Sequence, residues 1–151
     1  MGRILLIQHI EHEGPGLFQE IAEKRGYKIC TYRLDLGDSL PELTNGDLLL
    51  VLGGPMGIRD IGSSIYPWLR NEVDLIKEAL LRKIGVIGVC LGAQLLAYAA
   101  GGDVETLQGG TPPRPLAEIG WNFISSQSKT KINPLTVFLE SPLPVLHWHG
   151  D

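Results

Sequence analysis

The apolar residues of this chain gather into short unbroken runs, separated by stretches with helical spacing. Ile4–Ile7 and Leu48–Leu52 are purely apolar, and Val86–Val89 is interrupted only by Gly88. Runs of this length, bounded by turn residues, predict strands covered on both faces, as in a parallel sheet. Lys28–Tyr32 predicts a further strand. Leu17–Arg25 predicts a helix, with Leu17, Phe18, Ile21 and Ala22 turned inward and Gly26 as its stop. Trp68–Lys83 predicts the longest helix, because Leu69, Val73, Ile76 and Leu80 recur at spacings of 4, 3 and 4, one face of an α-helical period. His9–Gly16, Asp35–Asn45 and Ile58–Pro67 read as loops, and Asn45-Gly46-Asp47 as a turn. Strands alternating with helices predict a parallel α/β sheet with right-handed crossovers.

Beyond Gly101-Gly102 the pattern changes to shorter β segments. Asp103–Leu107, Glu118–Ile124 and Val145–Trp148 predict strands, and Gln108–Pro115 a Gly/Pro-rich loop. Ser125–Thr130 reads as polar and exposed, while Ile132–Leu139 is too mixed to assign.

At 151 residues the chain has the length of a single domain, 1–151. Its net charge of −4 gives no basis for nucleic acid or an anionic membrane as partner. No apolar stretch approaches the ~20 residues of a membrane span. The N-terminal run is too short for a signal peptide. Two cysteines, Cys30 and Cys90, make no disulfide framework, so a reduced, cytoplasmic protein is expected. Cys30 reads as a small core hydrophobe.

Cys90 stands apart. It follows an apolar strand, precedes a helix pattern, and is framed by Gly88 and Gly92 as G-x-C-x-G. Glycines there let strand and helix approach closely. A helix N-terminus favours negative charge on the attacking sulfur. With serine, the same arrangement is the nucleophile elbow of hydrolases. An inert buried cysteine is the competing reading. The strand Leu48–Leu52 runs into Gly53-Gly54-Pro55-Met56-Gly57, at the sheet edge where open α/β folds bind ligands. Such a turn can cradle phosphate, present N–H groups to an oxyanion, or be a plain tight turn. It lacks the Lys and Ser/Thr of a P-loop.

The chain's last strand ends in His147-Trp148-His149-Gly150-Asp151. A cysteine nucleophile needs a base, oxyanion donors and often an orienting carboxylate. Cys90, His149 and Asp151 are the candidate triad. Backbone N–H groups at Gly54 and Leu91 are the candidate hole. His147 shares a face with His149 in a regular strand; the adjacent acid favours His149. His9 and His12 read as loop or surface residues. No metal site is expected, since the H-x-H pair at 147 and 149 has no evident third ligand.

Taken together, Glu13–Gly16 (EGPG), Gly53–Gly57 (GGPMG), Tyr66–Leu69 (YPWL), Gly88–Ala97 (GVCLGAQLLA), Glu118–Trp121 (EIGW) and His147–Asp151 (HWHGD) resemble a class I glutamine amidotransferase domain. The likeness is to the stand-alone type, similar to the glutaminase part of GMP synthase. It implies a three-layer, mostly parallel open sheet with helices on both faces and a flavodoxin-like core. It also implies a domain that lacks its C-terminal segment beyond Asp151, impaired activity, and an exposed apolar patch open to self-association. The implied reaction is hydrolysis of the glutamine side-chain amide through a thioester on Cys90. His149 would be the acid/base, Asp151 its orienter, Gly54 and Leu91 the oxyanion hole, and Gly53 and Gln94 contacts to glutamine. No cofactor is implied, and ammonia would pass to a synthetase on another chain. Two other readings stand beside it: a cysteine hydrolase of another γ-glutamyl amide or peptide, and a non-catalytic binding module.

Overall fold

In a computed structural model, the described residues are 2–125 and 142–150. Contacts divide the chain into two compact units, Met1–Val104 and Glu105–Asp151.

The first unit is built on four parallel strands: β1 (Arg3–Gln8), β2 (Lys28–Arg33), β3 (Leu48–Val51) and β4 (Gly85–Gly88), in the order β2-β1-β3-β4. β1 and β3 are the central pair, in register from Ile4–Leu48 to Ile7–Val51. That position explains their unbroken apolar runs: Leu5, Leu6, Ile7, Leu49 and Val51 are wholly shielded from solvent. Alternation sends Leu5, Ile7, Leu49 and Val51 to one face. There they pack with Leu69, Val73 and Ile76 of α2 (Leu69–Leu81) and with Leu91 and Leu95 of α3 (Leu91–Ala99). Leu6, Leu50 and Leu52 form a smaller cluster on the other face. The chain moves outward in opposite directions on passing from β1 to β2 and from β3 to β4. Right-handed crossovers therefore place α1 (Leu17–Lys24) on the face opposite α2.

Three expectations change in this unit. In α1 only Ala22 is buried, while Leu17, Phe18 and Ile21 are exposed. The helix has eight residues and packs on the edge strand β2, so its apolar stripe is wider than the surface it covers. In α2 the inward stripe drifts, so that Ala79 is buried and Leu80 half-exposed. Asp103–Leu107 forms no strand; its mixed residues offer no apolar alternation to bury. Cys30 does pack against the main core.

The edge where β1 and β3 begin is tied by Asp47. Its buried carboxylate accepts hydrogen bonds from Arg3 Nε (3.0 Å) and Nη2 (2.7 Å) and from Thr44 N (2.8 Å) and Oγ1 (2.9 Å). The Arg3 guanidinium, reinforced by Thr44, holds the Asp47 carboxyl far below its ordinary value of 3.8 despite its burial. A depressed carboxylate stabilises the fold fully above its unfolded value, and that stability is lost as pH falls through the folded one. Urea titrations from pH 7 down to pH 3 are therefore expected to show a smaller acid loss in Asp47→Asn than in the wild type, from a lower starting stability.

In the second unit β5 (Gln108–Gly109) and β6 (Arg114–Pro115) form a short antiparallel pair inside the segment expected to be a loop. β7 (Glu118–Ile124) and β8 (Leu143–His149) pair antiparallel, from Glu118–His149 to Ile124–Leu143. One face of this ribbon carries Ile119, Trp121, Phe123, Leu146 and Trp148, all exposed. The other carries Glu118, His147 and His149. Ser125 is exposed as expected; the rest of the polar stretch to Thr130 and the unassigned Ile132–Leu139 lie outside the described residues. Among the described residues no helix is long and apolar enough to cross a membrane.

Candidate active site

The elbow starts from the sheet. Val89 N–H donates to the Val51 carbonyl (2.9 Å), carrying β4 one residue past its last ladder pair. Cys90 then turns at φ 52°, ψ −114°, a conformation that costs a non-glycine residue roughly 1–3 kcal/mol. The chain enters α3 at once, with Ala93 and Gln94 N–H donating to the Cys90 carbonyl (2.9 and 3.2 Å). Gly88 and Gly92 are what permit this. A Cβ on Gly92 would collide with the Val51 carbonyl, and one on Gly88 with the backbone of Gly92 and Ala93. Cys90 itself is exposed.

The Gly53-Gly54 turn, at the end of β3, is packed against this elbow. A Cβ on Gly53 would lie 3.4 Å from Cys90 Cβ and press on the Glu13 carboxylate. A Cβ on Gly54 would lie 3.1 Å from both His9 Cβ and Leu91 Cδ2. Neither the Gly54 nor the Leu91 N–H meets an acceptor among the described residues. Gln94, one helical turn beyond Cys90, has a buried Oε1 with no hydrogen-bond partner. The first unit thus brings together Cys90, Leu91, Gly53, Gly54 and Gln94.

His9 lies in the loop after β1, as expected, but not at the surface. It is buried, with Nδ1 2.8 Å from the Gly53 carbonyl and Nε2 2.9 Å from Glu72 Oε1. Glu72 is buried as well, and its Oε2 has no partner. Burial alone would lower the His9 pKa, but the Glu72 hydrogen bond and charge, with the Gly53 carbonyl and Glu13, outweigh it and the net shift is upward. A sequence signal existed: Glu72 lies in the inward stripe of α2 between Leu69 and Ile76, where a charge needs a partner. His12 is exposed, as expected.

In the second unit, register places Glu118 opposite His149 and Gly120 opposite His147. Glu118 Oε2 lies 3.0 Å from His147 Nδ1 and 3.3 Å from His149 Nε2. The His147 contact chiefly lowers the Glu118 pKa. The two imidazoles are 5.6 Å apart between centroids. Glu118 is thus the third donor that the H-x-H spacing alone does not reveal, and the three groups are close enough together to hold one metal ion. Asp151 lies outside the described residues.

The profile of the class-I glutamine amidotransferase family matches residues 17–151. The chain is 35% identical to the glutamine amidotransferase-like protein YfeJ of Salmonella typhimurium, across 99% of this chain and 60% of that protein. Among solved structures it resembles a glutamine amidotransferase from Thermotoga maritima, with a TM-score of 0.80 and 30% identity over 99% of this chain and 60% of that one. A glutamine amidotransferase from Methylobacillus flagellatus gives a TM-score of 0.79 and 31% identity, over 99% and 56% of the two chains. The chain therefore spans about 60% of the length of the first of these relatives.

Proposed function

Because this chain belongs to the class-I glutamine amidotransferase family, we propose that it hydrolyses the side-chain amide of glutamine through a thioester on Cys90. The observation that carries the reading is the exposed, strained Cys90 packed against a glycine turn, with the Gly54 and Leu91 N–H groups unengaged among the described residues. His149 takes the thiol proton of Cys90 as its sulfur attacks the carboxamide carbon. The charge that develops on oxygen is taken up by the Gly54 and Leu91 N–H groups, the kind of contact worth about 3–4 kcal/mol in such sites. The intermediate collapses as the C–N bond breaks, and His149 protonates the departing ammonia. His149 then takes a proton from water, which attacks the thioester; the C–S bond breaks, glutamate leaves, and His149 returns the proton to the Cys90 sulfur. Asp151 orients His149.

Gly53 and Gln94 bind the substrate. The unpartnered Gln94 Oε1 supports this, since it can accept a hydrogen bond from an ammonium or amide of glutamine. The ammonia passes to a synthetase on another chain, as the family likeness implies.

The test is ammonia release from glutamine, set beside amine release from other γ-glutamyl amides. Faster turnover of glutamine is expected. Turnover of the other amides alone moves the reading to a general γ-glutamyl hydrolase, and binding of glutamine with no turnover moves it to a binding module.

A further inference from the structure

His9 and Glu72 lie beneath the glycine turn and form no part of the reaction as written above. Yet they are the only charged or imidazole side chains of the described residues that are both wholly buried and bonded to each other. The Gly53 carbonyl can only accept a hydrogen bond, so His9 Nδ1 must carry a proton to make its 2.8 Å contact. Nε2 faces a carboxylate oxygen at 2.9 Å, so a second proton lies between His9 and Glu72. Whichever of the two holds that proton, Nδ1–H remains on Gly53. A buried carboxylate and imidazole are costly unless paired; here the pairing locks the imidazole ring in place.

The consequence follows from peptide geometry. The Gly53 carbonyl and the Gly54 N–H belong to one planar group, and in a trans peptide they point in opposite directions. A donor held on the carbonyl fixes the plane, and so fixes where the N–H points. Glycines on both sides would otherwise leave that peptide free to rotate. The turn is gripped from two directions, by His9 Cβ and Leu91 at Gly54 and by Cys90 and Glu13 at Gly53.

We propose that His9 and Glu72 are positioning residues for the reaction, in which His9 Nδ1–H holds the Gly53 carbonyl so that the Gly54 N–H is presented to the oxyanion formed on Cys90. This rests on the acyl-transfer reading above.

The test compares the double variants H9N/E72Q and H9L/E72Q in the full chain. E72Q removes the carboxylate that a change at His9 alone would strand. In H9N the asparagine amide keeps an N–H near the place of Nδ1, and in H9L no donor remains. H9L/E72Q is expected to lower kcat for ammonia release roughly ten- to hundred-fold relative to H9N/E72Q, with KM changed by less than about threefold. The Gly54 amide resonance should move in H9L/E72Q and return toward its wild-type position in H9N/E72Q. Equal kcat and an equal Gly54 resonance in the two folded doubles overturn the proposal. If glutamine is not turned over but another γ-glutamyl amide is, the glutaminase reading fails while the same kcat ratio on that substrate still decides the proposal. With no turnover of either, the Gly54 resonance decides it. Should H9L/E72Q not fold, the wild-type spectrum settles the matter: a slowly exchanging His9 Nδ1 proton at neutral pH supports the proposal, and an unprotonated Nδ1 overturns it.

Discussion

Replacing Cys90 with alanine is expected to reduce ammonia release from glutamine by roughly 10⁴-fold or more, while leaving the fold intact. Removing a nucleophile from a triad generally destroys most of the rate enhancement, because the remaining members have nothing to activate. The structure separates this effect from a loss of stability. Cys90 is exposed, and its sulfur fills no part of the core. Alanine retains the Cβ, so the strain at φ 52° is unchanged. Unfolding free energies of the two proteins should agree within about 0.5 kcal/mol, and a coupled ammonia assay reads the loss. A variant that kept a tenth of the activity would place the nucleophile elsewhere.

Gly92→Ala is expected to act in the opposite sense, on the fold first and on activity through it. In an exposed helix this change stabilises by about 1 kcal/mol. Here the new methyl group would collide with the Val51 carbonyl oxygen. That oxygen belongs to a central strand and already accepts the Val89 N–H, so it cannot rotate aside as a flexible side chain would. Overpacking against such a partner costs about 3 kcal/mol or more, which outweighs the gain in propensity. A net loss of about 2 kcal/mol or more should appear as a fall in melting temperature of several degrees, on the order of 4–8 °C. The same displacement shifts α3 away from β3 and takes Cys90 with it, so kcat falls as well. Gly101→Ala is the useful contrast, because a Cβ there meets nothing within 4 Å and only its φ of 86° opposes it.

The parts of this molecule that follow from local pattern were legible in the sequence, and those that depend on pairing were not. β1 and β3 could be read because a strand covered on both faces has to be apolar throughout. The elbow could be read because Gly88, Cys90 and Gly92 carry the close approach of strand and helix in their own spacing. Gln94 was singled out only by the family likeness, since a position one helical turn beyond Cys90 assigns no role by itself. His9 could not be read as it stands, just past the end of β1 in a polar stretch; its burial comes from Glu72, far along the chain on α2. Glu118 was hidden for the same reason, since its place beside His147 and His149 is set by the register of β7 on β8. The exposed face of α1 shows the converse. An amphipathic pattern says which side of a helix prefers to be buried, and the neighbouring surface decides how much of it is.

The most direct test of the central claim is to mix the protein with glutamine, quench in acid during turnover, and measure the mass of the peptide containing Cys90. A glutamyl adduct on Cys90 is expected, formed together with ammonia, stable in acid, released by mild base, and absent from Cys90→Ala. Sustained ammonia release with no adduct on that peptide, or with an adduct on another residue, would contradict it.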